Sequence, residues 1–131
     1  MTLILQKSGF TKPLGTTTKH ELMPDFLIIG AGKSGTTSLD KYLKQHPEIF
    51  IPAVKEPNFF GYENTKIEDF DNDADEIRHF QGSVTSFNEY TGLFKNAKPY
   101  QVKGETSNTY MYHPTAPERI KYYNPDMKLL A

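Results

Sequence analysis

The chain has 131 residues, 37% of them hydrophobic and 24% charged, with a formal net charge of −1. That balance excludes a general binder of nucleic acid or anionic membrane, while leaving room for one local basic pocket. The absence of cysteine excludes a disulfide framework, a thiolate zinc site and a thiol nucleophile. Residues 1–24 read as an N-terminal extension: Gly15 breaks structure, residues 16–19 are polar and no period is visible. A domain is expected over 25–131. Its first strand falls at about 25–30, where Phe26 to Ile29 are apolar in succession, as in a parallel sheet covered on both faces.

A helix is predicted over 34–45, with Leu39, Tyr42 and Leu43 on its packed face and His46-Pro47 as its stop. Residues 49–51 are a short apolar run, and Lys55-Glu56-Pro57-Asn58-Phe59-Phe60 follows. Residues 61–75 are polar and acidic, which predicts a surface loop or short helix. Phe80, Phe87, Tyr90 and Phe94 recur at roughly helical intervals, and Ser86 is placed to cap a helix holding Tyr90 and Phe94. A second strand is expected over 100–105 and a helix over 114–123 with Pro117 in its first turn. A buried strand is expected from 127. An open strand at this point predicts the N-terminal part of a longer domain. No apolar run nears the ~20 residues that cross a bilayer, and Leu3 to Leu5 are too short for a signal peptide. A cytoplasmic setting is therefore expected.

The chemistry concentrates in Gly30-Ala31-Gly32-Lys33-Ser34-Gly35-Thr36-Thr37-Ser38. A strand, a glycine turn and a helix start together make an anion cradle: free backbone N–H groups and the helix dipole both favour a phosphate. The stretch also matches G-x-G-x-x-G, the dinucleotide turn, but no acidic residue ends a second strand at the spacing a ribose requires. A Walker A loop would need glycine at position 27, where Leu27 stands. A tight turn with no ligand leaves the clustering of Lys33, Thr36, Thr37 and Ser38 unexplained. Asp71, Asp73 and Asp75 begin like a calcium loop, yet Glu76 and Gly82 occupy the positions that need glycine and glutamate, so a solvated acidic loop is the better reading. The four histidines lack ligand spacing, and no metal site is expected.

Lys33-Ser34-Gly35-Thr36-Thr37-Ser38-Leu39 after a buried strand resembles the phosphosulfate-binding loop of sulfotransferases. Two later stretches agree: Lys55-Glu56-Pro57-Asn58-Phe59-Phe60 resembles the base-bearing segment of heparan-type and bacterial carbohydrate sulfotransferases. Gly104-Glu105-Thr106-Ser107 with Tyr110, Tyr112-His113-Pro114 and Asn124-Pro125 resembles the approach to the family's next core strand. The resemblance covers residues 24–131. It implies an α/β, P-loop-like, mainly parallel sheet flanked by helices, incomplete at the C-terminus. It also implies sulfuryl transfer from 3′-phosphoadenosine 5′-phosphosulfate, without a metal, to a hydroxyl or amine acceptor, most simply a carbohydrate. By the same resemblance Lys33, Ser34, Gly35, Thr36, Thr37 and Ser38 hold the donor's 5′-phosphate, and Lys33 stabilises the departing phosphate. Glu56 is the general base, and Lys55 and Asn58 contact the acceptor. Tyr110 and Tyr112 are candidates to line an acceptor groove, and Phe59 and Phe60 to anchor the loop in the core. The family's arginine and serine for the 3′-phosphate belong to a motif beyond Ala131.

Overall fold

The computed structural model describes residues 19–30 and 35–131, the side chains of His20 and Thr36 excepted. A helical turn at Lys19–Leu22 (α1) leads into β1 (Phe26–Ile28), α2 (Thr36–Lys44) and β2 (Ile49–Phe50). Then come α3 (Phe59–Tyr62), α4 (Ala74–Gln81), α5 (Phe87–Gly92), β3 (Val102–Thr106), α6 (Ala116–Tyr123) and β4 (Lys128–Leu130). The strands form one parallel sheet in the order β2-β3-β1-β4. In the central register Phe26, Leu27 and Ile28 face Gly104, Glu105 and Thr106.

Alternation along β1 sorts its side chains between two cores. Phe26 and Ile28 join Ile49 and Val102 under Leu39 and Leu43 of α2. Leu27 joins the larger core on the opposite face, with Phe59, Phe60, Tyr90, Tyr110, Ile120 and Tyr123 from the later helices. An unbroken apolar strand covered on both faces is what the sequence predicts, and helices lie on each side.

Gly104 has a steric reason. A Cβ there would come within 2.1 Å of the Phe26 ring, which lies across it from the neighbouring strand. Gly104→Ala is expected to destabilise the protein by ~1–3 kcal/mol, because a fully buried ring has to move; the midpoint of urea unfolding measures it.

Several expectations need revision. Tyr42 is 77% exposed. The strip of α2 that meets the sheet is Leu39 and Leu43, one turn apart, and the buried neighbour is Asp40, whose charge Thr106 and Lys44 satisfy. The packed body begins before Asp25, since Met23 and Pro24 are fully buried and Asn124 Nδ2 donates to the Pro24 carbonyl. The 61–75 stretch starts inside the core, with Gly61 and Tyr62 buried at the end of α3. Its acidic run is a helix start: Asp73 caps α4 by accepting from the N–H groups of Asp75 and Glu76. Ser86 caps α5 as expected, accepting from Glu89 N–H. β4 is an edge strand with Lys128 and Leu129 exposed, so it is not the buried strand predicted.

Candidate functional site

Three of the predicted residues, Thr37, Lys55 and Glu56, meet near the C-terminal ends of the strands, where ligands sit in open parallel sheets. A cavity of about 170 Å³ opens there, lined by Thr37 and Asp40 of α2, Val54, Lys55 and Glu56 after β2, and Thr106 at the end of β3. Thr37, Lys55 and Glu56 are thus brought together from two separate segments. Lys33 and Ser34 lie outside the described residues. Gly35 takes φ +87°, a left-handed conformation that suits glycine, and opens α2 without a side chain to cap it. The first turn of α2 holds no acidic residue, so its N–H groups keep their positive end. Thr37 and Ser38 are exposed on that turn.

Glu56 is half-buried, and its Oε2 accepts the Asn108 N–H at 2.9 Å. Burial raises its pKa above the ordinary carboxylate value. The Asn108 N–H and the nearby His79 imidazole pull it back down, and Asp40 adds to the rise.

Glu56 and Asn58 both adopt left-handed backbones, φ 49° and 55°. Asparagine tolerates that region, whereas glutamate is strained in it. The turn persists because everything around it is tied down. Asn58 N–H donates to Ser107 Oγ at 3.0 Å, its Nδ2 donates to Ser83 Oγ, and its Oδ1 accepts from Thr109 Oγ1. The Pro57 carbonyl accepts from Val84 N–H, while Phe59 and Phe60 are fully buried immediately after. Asn58, expected to touch the acceptor, is itself 4% exposed, with both side-chain polar atoms engaged by the framework.

Beneath the turn lies a carboxyl that sequence reasoning left without a role. Glu105 is fully buried and accepts from Ser107 Oγ at 2.7 Å, Tyr110 OH at 2.7 Å and Tyr90 OH at 3.1 Å. Burial is the largest influence and lifts its pKa to about 7, against the three hydroxyl donors, which lower it. Tyr110, a groove candidate, is 3% exposed and serves this network, whereas Tyr112 is 67% exposed. The folded pKa of Glu105 exceeds the ordinary 4.5, so its contribution to stability is complete below about 4.5 and is lost as pH rises toward 7. Glu105→Gln is expected to flatten that part of the stability profile, measured by denaturant unfolding at stepped pH.

Asp40 and Thr106 were also missed. Thr106 Oγ1 donates to Asp40 Oδ1 at 3.0 Å, linking the helix after the glycine turn to the end of β3. Asp40 lies three residues beyond Thr37 on one helix, a spacing that puts both on one face. A larger open hollow of about 460 Å³ lies elsewhere, between Asp71, Glu76, His113 and Arg119, and contains none of the predicted site residues. Among the described residues no cluster is placed to hold a metal ion, and no helix is long and apolar enough to cross a membrane.

A sulfotransferase from Alicyclobacillus acidocaldarius, known by crystal structure, superposes on 82% of this chain with a TM-score of 0.67 and 36% identity. The membrane-associated sulfotransferase kil1 of Dictyostelium discoideum is 34% identical over 75% of the chain. The chain belongs to the sulfotransferase family. Human carbohydrate sulfotransferase 15 is 47% identical over a shorter stretch of 38 residues, 29% of the chain. No family model matches. This sulfotransferase chain spans 17% of the length of kil1 and 42% of the solved bacterial chain. The mainly parallel sheet with helices on both faces is the sulfotransferase α/β fold, as the glycine turn and its following motifs imply.

Proposed function

We propose that this chain supplies the donor-loop half of a site that moves a sulfuryl group from 3′-phosphoadenosine 5′-phosphosulfate to a hydroxyl or amine, on a carbohydrate acceptor. The observation that carries the reading is the cavity in which Thr37, at the start of α2, meets Lys55 and Glu56. An uncapped helix start free of acidic residues suits the 5′-phosphate, held by N–H groups from Ser34 to Thr37 and by the hydroxyls of Thr36, Thr37 and Ser38. Lys33 neutralises the charge that builds on the leaving phosphate, and a compact ammonium on a flexible stem fits that role. Glu56 takes the acceptor's proton as the nucleophile attacks sulfur in line with the leaving oxygen. Its raised proton affinity brings it nearer to neutral pH, where a general base works best. Lys55, exposed at the cavity rim, orients the acceptor; Asn58 shapes the turn beneath it. The named carbohydrate sulfotransferase relative supports a sugar acceptor.

Titration calorimetry with adenosine 3′,5′-bisphosphate, ATP and NAD tests the donor. The bisphosphate is expected to bind most tightly, and Lys33→Ala to weaken it; a preference for ATP or NAD overturns the reading. A cytoplasmic setting rests on composition alone, while one relative is named as membrane-associated, so fractionation of the expressed protein decides the compartment.

A further inference from the structure

The base and the backbone that carries it are both fastened to the same two residues. Asn108 N–H engages the Glu56 carboxylate, and Ser107 Oγ accepts the N–H of Asn58 at the end of the strained turn. Ser107 can accept there because its own proton is committed to Glu105 Oε2, and Tyr90 and Tyr110 hold that carboxyl from the other oxygen. Tyr110 OH also accepts Phe60 N–H, which ties down the far side of the turn. Hydrogen bonds therefore run from the floor of β3 through Ser107 to the main chain at Asn58, two residues after Glu56, and the adjacent Asn108 N–H holds the Glu56 side chain. We propose that Ser107 and the Asn108 amide clamp Glu56 in its working orientation, with Glu105 as the positioning residue that fixes the clamp from below. This rests on Glu56 being the base.

Proline at position 108 removes the amide hydrogen together with the asparagine side chain. The site accepts it: Asn108 opens a short 3-10 turn, where a missing N–H is tolerated, and Ser107 before it is extended at φ −143°, ψ 101°, as a residue preceding proline prefers. The Asn108 side chain supplies an internal control. Its Oδ1 is buried without a hydrogen-bond partner among the described residues, and Asn108→Ala removes that side chain while keeping the amide N–H that the clamp uses. Among the described residues, the charged or titratable groups facing Glu56 are His79 from α4, Asp40 from α2, Glu105 from β3 and Lys55 beside it.

The test compares kcat, KM and the pH profile of sulfuryl transfer in the natural-length protein and in N108P, N108A and E56Q. Loss of one hydrogen bond to a charged group predicts a ~10–100-fold fall in kcat for N108P. The acid limb of its pH profile should move to higher pH, because the Asn108 N–H holds the Glu56 pKa down. KM for the donor and affinity for adenosine 3′,5′-bisphosphate should stay near those of the parent, and the fall in kcat and the shift of the acid limb are read against N108A, which loses the same side chain but keeps the N–H. An impaired E56Q beside an N108P with unchanged kcat and acid limb overturns the clamp alone. An active E56Q overturns the base assignment and the clamp with it. Should N108P not fold, Ser107→Ala is the second variant: folded, it must show a lowered kcat with the donor KM retained, and a parental kcat overturns the clamp.

Discussion

Glu56→Gln is expected to lower turnover by ~10²–10⁴-fold, the usual loss when a positioned base is removed. Glutamine keeps the volume of the side chain and an oxygen that can accept the Asn108 N–H, so the turn stays in place. The proposed place of adenosine 3′,5′-bisphosphate is the other wall of the cavity, on the α2 start, and its affinity should therefore be retained. Single-turnover transfer paired with calorimetry separates the two quantities. Turnover at the parental level removes Glu56 from the role, and affinity lost in step with turnover makes it a donor-binding group instead.

Phe59→Ala is expected to cost ~3–5 kcal/mol, the range for truncating a fully buried aromatic ring. The ring is 0% exposed and stacks on Tyr90 with centroids 4.4 Å apart and planes 10° from parallel. It also packs against Phe60 and Tyr123. Tyr90 in turn donates to Glu105, so a collapsed stack loosens the floor beneath Glu56. Chemical denaturation gives the stability loss. A loss well below this range would mean that the neighbouring rings close the cavity, and transfer activity should then survive.

The fold was legible wherever local pattern and tertiary environment agree. The run Phe26 to Ile28 reads as a strand buried on both faces because both faces are in fact covered. Ser86 and Pro117 mark helix starts through their own backbone chemistry, which needs no distant partner. Tyr42 and Asp40 show the limit. Helical spacing alone cannot say which way the packed strip is turned, and the answer depends on Thr106, far along the chain.

The site divides along the same line. Lys55 and Glu56 carry a local motif legible in the sequence, and the structure sets them beside Thr37 in one cavity, while residues 31–34 of the glycine turn lie outside the described residues. Glu105 and Ser107 were read only as part of a resembling stretch, since Ser107 acts on Asn58, 49 residues away in sequence, and Glu105 on Tyr90, 15 residues away. A glutamate and a serine flanking a threonine in a strand carry no sign of burial, and only folding reveals them as a floor.

The left-handed backbone at Glu56 has an evolutionary cost. Glycine would relieve the strain there and asparagine would reduce it, each by an amount on the order of 1 kcal/mol. With Glu56 as the proposed base, a laboratory selection for heat resistance alone would thus drift toward a sturdier and silent protein at this codon. Only simultaneous selection for product would keep the glutamate, so this position marks where robustness and chemistry pull the sequence in opposite directions.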